Sequence, residues 1–310
     1  METIEIRNFS NLPSGANNNQ TAYISKNENC INYEILSRNK DLEYIDFLNL
    51  SSAIKIMGEF FDVNAVVITK EALLSSAALG ATEDDALEKA IDCDPISICD
   101  ATVGFSKEVS FEAAKLLSSM KIKNIISPKF SKDAFSYLLD TNINIIKVDT
   151  PLHELQAFET KDIKVTPFGT LIQEQNNSKL NKESFNVVTK NKPTQQQAED
   201  GIFAWKLSKH LTSRSAIVAK DLSVKAIVQG KTSNVIAVEN AMDIACENSK
   251  DAALVIDGSI DNNAIVNTAI QGRIGLIIEA GDCKNSSEII KLANKYEISM
   301  IHTKITNNKY

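Results

Sequence analysis

The sequence predicts an α/β protein built as two similar-sized halves joined by a polar linker, and three observations carry this. Short β-branched apolar runs alternate with helix-favouring runs from about residue 65 to residue 303, the pattern of α/β layers. A polar stretch near the middle, IQEQNNSKLNKES at 172–184, has no apolar periodicity and reads as a linker. The chain has 310 residues, 43% of them hydrophobic, enough for one large domain or two of about 150 residues. The halves are accordingly placed at 1–171 and 185–310, with the linker at 172–184.

In the first half, AVVIT (65–69) is a strand because its β-branched residues favour a buried pleat. ATEDDALEKAI (81–91) follows as a helix, IKNIISP (122–128) as a strand, SKDAFSYLLD as a helix and NINIIKVD (142–149) as a strand. In the second half FNVVTK (185–190) is a strand, and the longest helix starts within KPTQQQAEDGIFAWKLSKHL. Thr194 and Gln197 have capping-box spacing there, a hydroxyl and an amide each satisfying a free backbone donor. SAIVAKD and VKAIVQG are strands, VIAVENAMDIACEN a helix, and AALVIDG, IGLIIEAG and ISMIHT strands. A helix between the last two starts near Asn285-Ser286-Ser287-Glu288, which has the same capping-box spacing. No short tandem repeat is evident.

Net charge is −7, which argues against a non-specific nucleic-acid binder while leaving room for a local basic pocket. No apolar run approaches the roughly 18 residues of a membrane helix. METIEIRNFS has neither a basic nor an apolar leader segment, so no signal peptide is expected. The five cysteines, Cys30, Cys93, Cys99, Cys246 and Cys283, are scattered without a C-x-x-C pair. They fit a reducing cytoplasm and are expected to act as small buried hydrophobes.

Most chemical motifs fail on spacing. GKTS (230–233) ends like a phosphate-binding loop, but the glycine needed five residues earlier is Lys225. His153, His210 and His302 lie far apart, and His153-Glu154 lacks the second histidine of H-E-x-x-H, so no metal site is expected. Trp205, in the apolar Ile202-Phe203-Ala204-Trp205, is expected in the core or an interface.

One stretch poses a sharper question. VVITKEALLSS (66–76) places Lys70 and Glu71 at the end of a buried strand. LPSGANNNQTAY (12–23), LEYIDFLNLSSA (42–53), ALEKAIDCDPIS (86–97), FNVVTKNKPT (185–194) and FAWKLSKH (203–210) accompany it in order. Together they resemble the formyltransferase domain of the bifunctional AICAR transformylase/IMP cyclohydrolase family. The resemblance covers nearly the whole chain and implies a divergent homologue standing without the cyclohydrolase domain.

It also implies two cytidine-deaminase-like halves without the deaminase zinc, in a cytoplasmic homodimer with active sites between subunits. The implied reaction transfers a formyl group from 10-formyltetrahydrofolate to the amine of AICAR, a purine nucleotide. Nucleic acid and membrane are not implied as partners. In the family pattern V-K-H-A-N-P-C-G, Lys and His are the catalytic pair. Here Lys70 matches, while Glu71 stands at the His position and Leu73 at the Asn position. Glutamate can serve as the base only where burial raises its pKa by several units.

Gly15 and Asn17 match the family's loop, but its Arg, Tyr and His are Pro13, Ser14 and Asn19. Asp94 and Ser97 keep their positions in D-P-x-S, and Asp257 keeps the Asp of S-D-A-F-F-P-F. Arg214, in Thr212-Ser213-Arg214-Ser215, is a candidate replacement for a lost phosphate-side cation. Two readings follow: a divergent transformylase, impaired because pocket residues are replaced, or a pseudoenzyme acting as scaffold or ligand-binding partner of an active paralogue.

Overall fold

A computed structural model describes residues 8–26, 30–38, 41–155, 161–180, 185–281 and 283–310. The leader segment considered above therefore falls mostly outside the described residues. The chain separates into two compact units, Met1–Gln175 and Asn176–Tyr310.

The first unit opens with a hairpin, β1 (Phe9–Leu12) and β2 (Ala22–Ser25), then β3 (Tyr33–Ile35) and α1 (Tyr44–Glu59). β4 (Asn64–Lys70), β5 (Leu73–Gly80), α2 (Glu83–Cys93), β6 (Thr102–Phe105) and β7 (Glu108–Val109) follow. After α3 (Phe111–Ser119) come β8 (Asn124–Ser127), β9 (Lys129–Phe130), α4 (Lys132–Leu138) and β10 (Asn144–Val148). A separate hairpin, β11 (Lys161–Thr166) and β12 (Gly169–Glu174), closes the unit. Its sheet runs β5-β4-β6-β8-β10-β3, with β6, β8 and β10 parallel and β4 antiparallel to β6.

Helix starts in this unit are written locally. Thr82, Ser110 and Ser131 cap α2, α3 and α4 by accepting from the third residue beyond, which satisfies amides that have no partner in the helix. Asp84 and Asp85 lie in the first turn of α2, where carboxylates oppose the positive end of the helix dipole. Val66, Leu87, Phe105, Leu117 and Ile145 belong to the core beneath. Gly80 is required where β5 meets α2: a Cβ there would lie 2.4 Å from the Ala86 amide nitrogen.

The second unit contains β13 (Asn186–Val187), α5 (Gln195–Ser208), β14 (Ala216–Lys220), β15 (Ser223–Val228) and α6 (Asn234–Ala245). β16 (Ala253–Ile256), α7 (Asn263–Gln271), β17 (Leu276–Glu279), α8 (Ser286–Lys295) and β18 (Ser299–His302) complete it. Its sheet runs β15-β14-β16-β17-β18-β13. Strands β16, β17 and β18 are parallel, and β14 is antiparallel to β16. Apart from the two-residue β7 and β9, this repeats the helix and strand order of β3 through β10, with the same sheet order. The internal repeat is long and topological, which is why no short repeat shows in the sequence. Trp205 on α5 is 2% exposed and belongs to the core.

Several expectations need correction. The linker at 172–184 begins inside β12, three of whose residues fall within it, and 181–184 lie outside the described residues. None of the five cysteines is buried, and Cys246 is exposed. Asn285 makes no side-chain cap on α8 because its amide donates instead to the Asp261 carbonyl at 3.2 Å. The Thr194–Gln197 capping box is present in full. No helix among the described residues is long and apolar enough to cross a membrane.

Candidate functional site

Lys70 ends β4 and pairs across the hairpin with Leu73, which leaves Glu71 and Ala72 as a two-residue turn. Their φ angles are 52° and 62°, the left-handed pair of a type I′ turn, where Asn-Gly is the favoured sequence. The buried Asn49 of α1 holds the turn: its Oδ1 accepts from the Ala72 amide at 2.7 Å, and its carbonyl accepts from Thr69 Oγ1 at 2.9 Å. Glu71 is exposed at the tip. Within this unit the burial a glutamate base would need is missing.

The second unit makes the same construction. Asp221 and Leu222 form the β14–β15 turn, both with φ of 56°. Asp200 of α5 accepts from both their amides, at 3.1 and 2.7 Å. Burial pushes the Asp200 pKa up, against the lowering effect of these amides and Gln196. Lys70 Nζ donates to the Cys99 carbonyl at 2.8 Å, and Lys220 Nζ donates to the Lys250 carbonyl at 2.8 Å. Cys99 and Lys250 each stand three residues before the next strand of their unit. Lys70 therefore has a structural duty that its counterpart performs where no catalytic pair is expected. Lys70→Met and Lys220→Met should each lower stability by about 1 kcal/mol. Denaturant unfolding of both variants checks this, and a loss at only one of them would refute the shared duty.

Asp94 caps the end of α2, and its Oδ1 accepts from the Ser97 amide at 3.0 Å. Its Oδ2 accepts from Ser75 Oγ at 3.3 Å. Lys70, Asp94 and Ser97 thus gather at one loop, 94–99, packed against the β4–β5 hairpin. Gly15 and Asn17 are elsewhere: the Gly15 amide donates to the Gln20 carbonyl and Asn17 to Gln20 Oε1. That loop meets the start of α1, where the Tyr44 amide donates to the Ser14 carbonyl at 3.4 Å.

In the second unit the loops at the carboxyl ends of β16 and β17 and the N-terminus of α6 line an open cleft of about 570 Å³. In parallel sheets this is the edge where ligands usually bind. Arg214, Asn234 and Asn308 converge around Gly258: a Cβ there would lie 3.9, 3.7 and 3.9 Å from Arg214 Nη1, Asn234 Nδ2 and Asn308 Oδ1. Arg214 Nη1 donates to Asn308 Oδ1 at 2.8 Å. Ser233 caps α6 by accepting from the Val235 amide. A guanidinium beside a helix N-terminus suits a small anion.

Asp257 follows β16 and is 1% exposed. Neither of its carboxylate oxygens meets a donor in hydrogen-bonding geometry among the described residues. Burial pushes its pKa up, offset in part by the Ser213 hydroxyl, the Ser215 amide and the Arg214 charge. The C-terminal tail straps this region: the Asn307 amide donates to the Asp257 carbonyl at 2.8 Å, and the Ser213 amide to the Lys309 carbonyl at 2.8 Å. Arg214 and Asp257 are therefore brought together, as the sequence suggested for each separately. Asn234, Asn308 and Asn49 were missed. Only a polar residue inside an apolar helix, as at Asn49, offered any signal.

The three histidines do not cluster: among the described residues no three His, Cys, Asp or Glu side chains are arranged to hold a metal ion. His302 lies with Nε2 2.7 Å from the buried Glu279 Oε1.

A family model described as AICARFT/IMPCHase bienzyme matches residues 1–244. The bifunctional purine biosynthesis protein PurH of Caldicellulosiruptor saccharolyticus is 33% identical over 99% of this chain and 60% of its own length. Its namesakes from Persephonella marina and Acetivibrio thermocellus are each 31% identical, over 99% and 96% of this chain and 61% and 58% of their own. The chain spans about three fifths of the length of these curated relatives.

Proposed function

The chain belongs to the AICARFT/IMPCHase bienzyme family, and from that premise we propose that it is a divergent AICAR-transformylase homologue with impaired formyl transfer. Its reference reaction is formyl transfer from 10-formyltetrahydrofolate to AICAR, in purine biosynthesis. The observation that carries the impairment is the state of the catalytic positions. Glu71 is an exposed turn residue where a buried base is needed, and the Lys70 ammonium is engaged by the Cys99 carbonyl as Lys220 is by Lys250. The Arg214–Asn234–Gly258 cleft supports retained binding of an anionic nucleotide.

The reading extends to two cytidine-deaminase-like units, supported by their repeated strand and helix order, and to a cytoplasmic homodimer, which rests on the family resemblance alone. A second reading, a pseudoenzyme that binds nucleotide or folate and partners an active paralogue, is favoured by the same Lys70 tether. Calorimetric titration with AICAR and then with a folate separates these from a protein with neither ligand. We expect micromolar AICAR binding, weakened about tenfold or more by Arg214→Ala through loss of a charge-assisted contact. No heat from either ligand at high concentration would remove the nucleotide reading and leave the scaffold role.

A further inference from the structure

The loop that follows β16 forms one wall of the Arg214 cleft, through Gly258, Ser259 and Asp261. It has no regular structure of its own, and its backbone is held from the segment after β17. The Gly258 carbonyl accepts from the Ala280 amide at 3.0 Å, Ser259 Oγ donates to the Gly281 carbonyl, and the Asp261 carbonyl accepts from Asn285 Nδ2 at 3.2 Å. The middle of the loop is held by a charged group. Glu279, the last residue of β17, is 2% exposed, and its Oε2 accepts from the Ile260 amide at 2.8 Å. Its Oε1 lies 2.7 Å from Nε2 of His302, its register neighbour on β18. His302 is itself buried and packs against Gly281, where a Cβ would lie 2.8 Å from the ring Cγ.

We infer that Glu279 and His302 are positioning residues for this cleft, a buried charge-balanced pair that sets the wall carrying Gly258, Ser259 and Asp261 and so tunes the affinity for an anionic ligand. The inference rests on the reading of the Arg214 cleft as the anion site. A carboxylate removed from water is costly unless hydrogen bonds and a countercharge compensate it. Glu279 has one of each, the Ile260 amide and the protonated His302 imidazole. His302 Nε2 is close to the carboxylate but outside hydrogen-bonding geometry, so what it supplies is charge rather than a directed bond. Without the imidazole, the carboxylate regains compensation only by turning toward water, and that releases the Ile260 amide. The unbalanced negative charge behind the wall also opposes an incoming anion. Neither residue lines the cleft; both act through Ile260.

Hydrogen exchange of the loop, residues 257–262, tests the anchor without any ligand, with β14 (216–220) as internal reference. His302→Leu should speed exchange in the loop about tenfold or more relative to that reference. Glu279→Gln alone keeps an acceptor for the Ile260 amide and carries no charge, so its loop should stay within about twofold of wild type. Adding Glu279→Gln to His302→Leu should therefore recover most of the loss, which a mere change of shape at position 302 would not allow. Calorimetric titration with AICAR reads the consequence: His302→Leu should weaken binding about fivefold or more, and the double variant should restore it. Unchanged loop exchange in His302→Leu, an equal rise in loop and reference, or no rescue by Glu279→Gln overturns the proposal. So does an AICAR affinity indifferent to His302→Leu yet sensitive to Arg214→Ala. Loop exchange that responds as expected in a chain that takes up no AICAR keeps the anchor and removes the nucleotide reading instead.

Discussion

Replacing Glu83 with Gln should stabilise the protein by about 3 kcal/mol at pH 8 and have little effect near pH 4.5. Glu83 opens α2 and is 8% exposed, and its Oε2 has no hydrogen-bond partner among the described residues. Burial raises its pKa from 4.5 to about 7, against the lowering effects of the Ser106 hydroxyl, nearby amides and Lys107. The folded state therefore holds this proton more tightly than the unfolded chain. Below pH 4.5 the carboxyl is protonated in both states and costs nothing. Between pH 4.5 and 7 the unfolded chain ionises while the folded one resists, and stability falls as pH rises. Above pH 7 the loss is complete. Glutamine keeps an acceptor for Ser106 and never ionises, so the benefit should appear over that window. Asp200 and Asp257, also pushed up by burial, titrate in both proteins and cancel in the difference. Urea unfolding of both proteins at the two pH values measures it, and an equal difference at both would show that Glu83 does not titrate with folding.

Where an element is long, apolar and locally capped, the sequence was enough. β4 and β10 appear in the sequence as β-branched runs, and α5 as a capping box followed by an apolar helix. α1 was harder, because it is buried on so many sides that no polar face marks its period. β5, with Leu74, Ser75, Ser76 and Ala77, has little β-branched character and becomes a strand through its partner β4. The site was legible only residue by residue. Lys70, Asp94 and Ser97 do gather, but what Lys70 does there depends on the Cys99 carbonyl, a backbone atom that no side-chain pattern encodes. Arg214 gains its meaning from Gly258 and Asn308, the latter 94 residues away along the chain. The exposure of Glu71 follows from the turn length, and a two-residue turn is unexpected where neither residue is Asn nor Gly.

That turn governs the second large effect. The purified chain is expected to transfer formyl groups from 10-formyltetrahydrofolate to AICAR about 10⁵-fold or more below a relative carrying the Lys-His pair, by the combined loss of base and donors. A missing general base typically accounts for about 10²- to 10⁴-fold. Leu73, at the position of the family's Asn, has a side chain that cannot hydrogen-bond, and one lost transition-state donor is worth about 2.7–4 kcal/mol. The losses are not additive, but both fall on the same step. Histidine restored alone, as Glu71→His, should recover at most about tenfold, since an exposed imidazole lacks the fixed donor it must work beside. A steady-state assay of both proteins at saturating AICAR decides the matter. Wild-type turnover near that of the Lys-His relative would mean that Glu71 and Leu73 do not impair the reaction, and that the Lys70 tether to the Cys99 carbonyl breaks when substrate binds.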